Sequence, residues 1–236
     1  VCRLILAQGR FRARSLVSAA ISMSEGHTAD HEGPTRCHPN GWGAVWREAG
    51  AAHRLAVHRD TRPISRSVEA SSIAQVETNF MALHVRHATL PHTRGLEFTH
   101  PLEKHGPAGP WYFMHNGYLP SVYTLLGRER SHFDTGEYFE YVVDARHDSL
   151  DAHTTLEKLR ALPPGGTSGN AIVVNPRRAY LIHWTPSPTP CPRYFTMHRL
   201  VGPESLIFSS EIIPALGPPE RWEPLPPQRI FEIPLD

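Results

Sequence analysis

The chain has 236 residues, enough for one sizeable core, and a single domain over residues 1–236 is expected. Lys and Arg total 24 against 23 Asp and Glu, a net charge of +1, which argues against nucleic acid or an anionic membrane as partner. Its apolar runs are far too short to span a bilayer, and three cysteines (Cys2, Cys37, Cys191) make no disulfide framework, so a cytoplasmic protein is expected.

In chain order, residues 2–7 are an apolar run suited to a buried strand, and 16–23 have helical spacing. His38-Pro39-Asn40-Gly41 reads as a turn before a strand at 42–48, and 54–58 alternates again, so the two form a hairpin. Residues 80–85 and 111–114 suit strands, the second ending in a His115-Asn116-Gly117 turn. Helices are predicted over 118–126, 135–145 and 151–162, the last stopped by Pro163-Pro164-Gly165-Gly166. Further strands are predicted at 171–174, 179–184, 194–200, 205–208 and 229–233. Strands at both ends with helices between them point to a layered α+β domain.

Several residues have chemistry to offer. Val1 reads as an initiator whose removal would expose the amine of Cys2. An α-amine pKa of about 7.7–8.0 and a thiol pKa of about 8.5 are matched for proton transfer near neutrality, so Cys2 would carry both nucleophile and base. Arg86, in His84-Val85-Arg86-His87-Ala88-Thr89, offers a planar fork for a carboxylate, with the Thr89 hydroxyl close by. Asn116 and Gly117 can present an amide and a backbone N–H to one oxygen, the donor pair of an oxyanion hole. Asp134 precedes a predicted helix, where it can cap the helix, receive a substrate ammonium, or do both. The histidines lack structural-zinc spacing with cysteine, and no metal site or cofactor is expected.

Together these pieces resemble a class II glutamine amidotransferase, a branch of the N-terminal-nucleophile hydrolases. The likeness runs from Cys2-Arg3-Leu4 through His38-Pro39-Asn40-Gly41-Trp42-Gly43, the H-x-R-x-A-T of residues 84–89, His100-Pro101, Phe113-Met114-His115-Asn116-Gly117 and Asp134-Thr135 to Ser209-Ser210-Glu211. It implies an αββα sandwich, two stacked antiparallel sheets between helical layers. It also implies roles: Cys2 as nucleophile with its own amine as base, Arg86 and Thr89 on the substrate α-carboxylate, Asn116 and Gly117 as oxyanion hole, and Asp134 on the α-ammonium. Gly136 interrupts the family's Asp-Ser/Thr-Glu succession, which leaves Thr135 as a rival for the ammonium position, and His87 stands where some members have an aromatic.

The implied reaction is cleavage of a glutamine or γ-glutamyl side-chain amide through a γ-glutamyl thioester. No P-loop is present and an amidohydrolase domain fills the chain, so three roles stand: ammonia donor to a separate acceptor enzyme, γ-glutamyl amide hydrolase acting on a small molecule, or non-catalytic glutamine-binding regulatory subunit.

Overall fold

A computed structural model describes residues 2–51, 53–189 and 191–235. The expected removal of Val1 concerns a residue outside that set. The strands are β1 (Arg3–Gly9), β2 (Trp42–Arg47), β3 (Leu55–Asp60), β4 (Phe80–Val85), β5 (Leu102–Gly106), β6 (Gly109–Tyr118), β7 (Ser168–Val174), β8 (Arg178–His183), β9 (His198–Val201), β10 (Ser205–Ser209), β11 (Trp222–Pro224) and β12 (Arg229–Pro234). The helices are α1 (Ala13–Ser24), α2 (Val68–Ile73), α3 (Val122–Leu125), α4 (Asp134–Val142), α5 (Ala152–Arg160) and α6 (Pro192–Phe195).

Two sheets result, one ordered β11-β9-β10-β1-β4-β2-β3 and the other β12-β8-β7-β6-β5, with antiparallel pairing throughout both. The period of two in a strand sorts side chains between layers. On β1, Leu4 and Leu6 join Phe80, Ala82, Met114, Ile172 and Leu181 in the core between the sheets. The alternate residues Ile5 and Ala7 pack with Met81, Leu83 and the α1 residues Leu16, Val17, Ala20 and Met23. On the far side, Trp111, Phe113, Ala171 and Val173 pack against Tyr138, Phe139 and Val142 of α4 and Leu159 of α5. Three cores therefore separate four layers, the αββα sandwich that the resemblance implies.

Most elements fall where the sequence puts them, and β4 matches its predicted bounds. Three do not. His115-Asn116-Gly117 is no turn: β6 runs through it, pairing Asn116 with Asn170 and Gly117 with Gly169. The helix predicted over 118–126 shrinks to the four residues of α3, because Tyr118 still belongs to β6. Residues 194–200 begin as α6, whose Pro192 sits at a helix start, and only then become β9. Strand β5, unpredicted, alternates buried and exposed residues on the edge of its sheet.

Candidate active site

The expected site residues come from four stretches of the chain, and the sandwich gathers them at one end. A cavity of about 190 Å³ is lined by Cys2, Arg86, Thr89, Gly117 and Asp134, together with Leu90, His92, Tyr118, Pro120, His132 and Phe133 among others. Five of the six expected residues share this wall. The sixth, Asn116, is fully buried behind it and donates from Nδ2 to the backbone carbonyl of Cys2.

Cys2 continues the alternation of β1, so its side chain is on the inter-sheet side with Leu4 while Arg3 goes to the opposite face. Cys2 as a whole is 7% exposed. Arg86 extends β4 beyond its last residue, held by two backbone bonds: its N–H donates to Gly41 O and its carbonyl accepts from Asn40 N–H, both at 2.9 Å. Asn40 Oδ1 also accepts from Ala88 N–H. The Asn40-Gly41-Trp42-Gly43 run thus serves as the splint for Arg86. Gly41 sits at φ +114°, and a Cβ on Gly43 would lie 2.0 Å from His100 O, so neither tolerates a side chain.

Arg86 is 3% exposed, and its Nη1 has no hydrogen-bond partner. No carboxylate among the described residues lies within ion-pairing distance of it. Burial lowers its pKa from the usual arginine value, and the charges of Cys2 and Asp134 oppose that shift. A guanidinium does not lose its proton near neutrality, so this is a buried cation with a vacant donor facing a cavity.

Asp134 is the first residue of α4 and does not cap it; Phe133 occupies the cap position. Its Oδ2 accepts from Leu119 N–H at 3.0 Å, which fixes the carboxylate at the cavity wall. Glu137 organises the helix start instead. It accepts from Ser131 Oγ at 2.8 Å and His132 N–H at 2.7 Å, holding the 131–133 segment against the site. The inserted Gly136 therefore leaves Asp134 on the cavity and turns Glu137 to structural work. Thr135 also reaches the cavity, but its hydroxyl is engaged with His115 Nδ1 at 3.1 Å. His115 Nε2 must carry a proton to donate to Ser168 O at 2.9 Å, so Nδ1 accepts from Thr135 and the ring is neutral. Burial holds its pKa below the ordinary value, opposed by Asp134.

Two further residues were not among the expected site set. His84 and His100 are 0% and 2% exposed, with His84 Nε2 and His100 Nδ1 2.6 Å apart. Burial lowers the His84 pKa to about 3, with the nearby Arg86 charge adding to the shift, and holds His100 well below the imidazole range. Only His-x-Arg and His-Pro marked them in the sequence, and nothing in the spacing ties either to Cys2.

Comparison with known proteins bears on the family and the fold. The model of the family described as glutamine amidotransferases class-II matches residues 13–135, just over half of the chain. No curated protein sequence matches. Among solved structures, glutamine phosphoribosylpyrophosphate amidotransferase from B. subtilis superposes with a TM-score of 0.64 at 16% identity, over 100% of this chain and 49% of that one. A structure described as the allosteric regulatory enzyme of purine biosynthesis gives 0.69 at 17% identity, over 99% and 47%. A glutamine aminotransferase class-II domain protein from Silicibacter pomeroyi gives 0.58 at 15% identity, over 98% and 94%. The chain spans about half the length of the first two and nearly all of the third. Among the described residues no helix is long and apolar enough to cross a membrane. With its four-layer fold, its cavity and its family match, this chain belongs to the class II glutamine amidotransferases.

Proposed function

We propose that the protein hydrolyses the side-chain amide of glutamine or of a γ-glutamyl compound, with Cys2 as an N-terminal nucleophile. The observation that carries this reading is one cavity holding a thiol, a buried arginine with an unpartnered nitrogen and a fixed carboxylate. Those three groups complement the amide, α-carboxylate and α-ammonium of a glutamyl head group. The volume fits as well: 190 Å³ lies below the roughly 300–1,000 Å³ of drug-sized ligand sites.

Loss of whatever precedes Cys2 frees its α-amine, which takes the thiol proton as sulfur attacks the amide carbon. Charge develops on the amide oxygen. The second N–H of Asn116 Nδ2, the one not used on the Cys2 carbonyl, and the Gly117 N–H are the donors to receive it. The α-ammonium then protonates the leaving nitrogen. A γ-glutamyl thioester and a free amine or ammonia result. Water, deprotonated by the same amine, cleaves the thioester and releases glutamate. Arg86 and Thr89 hold the α-carboxylate and Asp134 the α-ammonium throughout, so substrate orientation is set at the end of the molecule that does not react.

The test is glutamate release by protein with a free Cys2 terminus, from glutamine and from a γ-glutamyl anilide. Release from either, abolished in Cys2→Ala, supports the reading. A preference for glutamine favours ammonia supply to a separate acceptor enzyme, and a preference for the substituted amide favours a γ-glutamyl hydrolase. No release from either, with Cys2 free, overturns it in favour of a non-catalytic glutamine-binding subunit.

A further inference from the structure

Cys2, His84 and His100 come from three separate stretches of the chain, yet one donor atom from each lies within 4.8 Å of the others. All three side chains are buried, at 7%, 0% and 2% exposure. The pairing register explains the meeting. Leu4 of β1 and Gly43 of β2 flank His84 on β4, and the missing side chain of Gly43 lets the His100 backbone cross close above the sheet. The His100 ring then stands at 82° to His84 with centroids 4.1 Å apart.

The hydrogen bonding of this pair is incomplete. His84 Nε2 lies 2.6 Å from His100 Nδ1 and 3.3 Å from His115 O. His84 Nδ1 and His100 Nε2 have no partner, although both atoms are shut off from solvent. Whichever ring donates in the mutual hydrogen bond, one of the two orphan nitrogens is left as a bare lone pair in a place where no water reaches it. An unpaired buried nitrogen is costly, so the mutual contact of His84 Nε2 and His100 Nδ1 does not by itself satisfy the two rings.

We propose that Cys2, His84 and His100 form a binding site for a borderline-soft divalent cation, Zn²⁺ being the fitting case, and that the ion reversibly locks the nucleophile. One thiolate and two imidazoles with a fourth position open is an ordinary donor set for such an ion. Entry releases the thiol proton to solvent and leaves both rings neutral. Two nitrogens on one tetrahedral zinc are about 3.3 Å apart at Zn–N of about 2.0–2.1 Å, against 2.6 Å between His84 Nε2 and His100 Nδ1, so an ion held by those two atoms parts the rings slightly and the proton of their mutual hydrogen bond moves to the far nitrogen of the same ring. Arg86 nearby acts both ways: its charge favours the thiolate and opposes the cation, while Asp134 offsets it. The expected result is a site that exchanges its ion, not a permanent structural centre. Its second rival for a metal, His58, Asp60 and Glu69, is partly exposed and has both carboxylates held by Arg62.

Metal capture depends only on the geometry of these three side chains; the lock on catalysis rests on the proposed hydrolase reading. The experiment therefore separates the two. Metal-free full-length protein is titrated with Co²⁺ as the probe and followed by absorption. The expected result is one equivalent bound, with a near-ultraviolet thiolate-to-cobalt band and visible bands of a four-coordinate ion. The thiolate band should vanish in Cys2→Ser, and His100→Gln and His84→Gln should each weaken binding at least tenfold while circular dichroism remains native. Absence of a thiolate band at millimolar Co²⁺, or a band that survives Cys2→Ser and so comes from Cys37 or Cys191, overturns the proposal. Should both His→Gln variants misfold, the Cys2→Ser comparison alone decides. In a second arm Zn²⁺ is added to the glutamate-release assay. Inhibition reversed by a chelator supports the lock, and full activity at a Zn²⁺ concentration that saturates the cobalt-competition site overturns it. Binding without any hydrolysis under metal-free conditions leaves the site standing and counts against the hydrolase reading instead.

Discussion

The protein buries two arginines near its N-terminal cysteine, and they are buried in opposite ways. Arg3 is 0% exposed and ion-paired within the fold, although its Nε meets Glu211 Oε1 as a charge contact without hydrogen-bond geometry. Its Nε lies 2.6 Å from Glu211 Oε1, Nη1 donates to Tyr194 O at 2.9 Å, Nη2 contacts His31 Nε2 at 2.6 Å, and the guanidinium sits 3.9 Å from the Tyr194 ring centroid. Arg86 is almost as deeply buried, yet Nη1 has no acceptor and no carboxylate pairs with it among the described residues. A buried charge is tolerable only when paired. Arg3 meets that condition within the fold and ties together the 25–37 segment, α6 and the end of β10. Arg86 does not, and under the proposed function the substrate α-carboxylate is the anion that completes it. The proposed difference between a structural Arg3 and a substrate-binding Arg86 thus rests on the carboxylate partner that one has and the other lacks.

The sharpest way to break this comparison is to remove each arginine in turn. Arg86→Ala should lower kcat/KM for glutamyl substrates by about 10²–10³-fold, mostly through KM, because it removes the cationic half of a desolvated charge pair. Its unfolding midpoint in urea should be equal to or above that of the wild type. Arg3→Met should do the reverse. It strands the Glu211 carboxylate and should cost about 3–5 kcal/mol of stability, with KM nearly unchanged in the folded fraction. The double variant Arg3→Met/Glu211→Leu should recover most of that loss. If Arg86→Ala destabilised the fold as much as Arg3→Met, the distinction would collapse.

Asn116→Ala should lower kcat by about 10²–10³-fold with little change in KM, as expected for a donor that acts on charge developing in the transition state. Steady-state kinetics on the γ-glutamyl anilide would separate the two constants. Asp134→Asn retains an acceptor for Leu119 N–H but removes the charge, and KM should rise by roughly 10-fold, in line with a partly exposed charge pair worth ~1–2 kcal/mol. Thr135→Val should have a smaller effect on KM, since its hydroxyl already serves His115.

The smallest effect per unit change is one of pH. Burial lowers His38 to about 2, with the charge of Arg3 adding to it, and lowers His183 to about 4. His183 donates to Pro226 O and accepts from Met197 N–H, a neutral ring with both nitrogens used. Below an unfolded pKa of about 6.5 the unfolded chain takes up protons that these folded rings refuse, so stability is present above that pH and lost as pH falls toward the folded values. Each ring contributes up to about 1.4 kcal/mol per pH unit in that window. Urea midpoints at pH 7.5 and 5.0 should show the loss, and His183→Gln should flatten it.

Much of this was legible in the sequence because it depends on short-range order. The period of two in β1 and β4 predicts strands, and the resemblance carried by Cys2, Arg86, Asn116-Gly117 and Asp134 anticipates residues that meet at the cavity, with Asn116 lying just behind its wall. What was not legible depends on pairing between distant segments. Asn-Gly ordinarily signals a turn, but β7 pairs alongside and keeps Asn116-Gly117 in β6. Asp134 has the residue type of a helix cap, yet the cap position falls on Phe133 and the carboxylate faces Leu119 N–H. Neither Arg3 with Glu211, 208 positions apart, nor His100 beside His84 and Cys2 could be deduced from spacing, since both depend on strand register.

The most direct test of the central claim, that Cys2 attacks a glutamyl amide held by Arg86, is intact mass after treatment with a diazo-ketone analogue of glutamine. Protein with a free Cys2 terminus should gain one label, mapped to Cys2 by peptide digestion, and Arg86→Ala should gain it at least about 100-fold more slowly at equal reagent concentration. A label on Cys37 or Cys191, no label at all on folded protein with Cys2 free, or equal labelling rates with and without Arg86 would contradict the account.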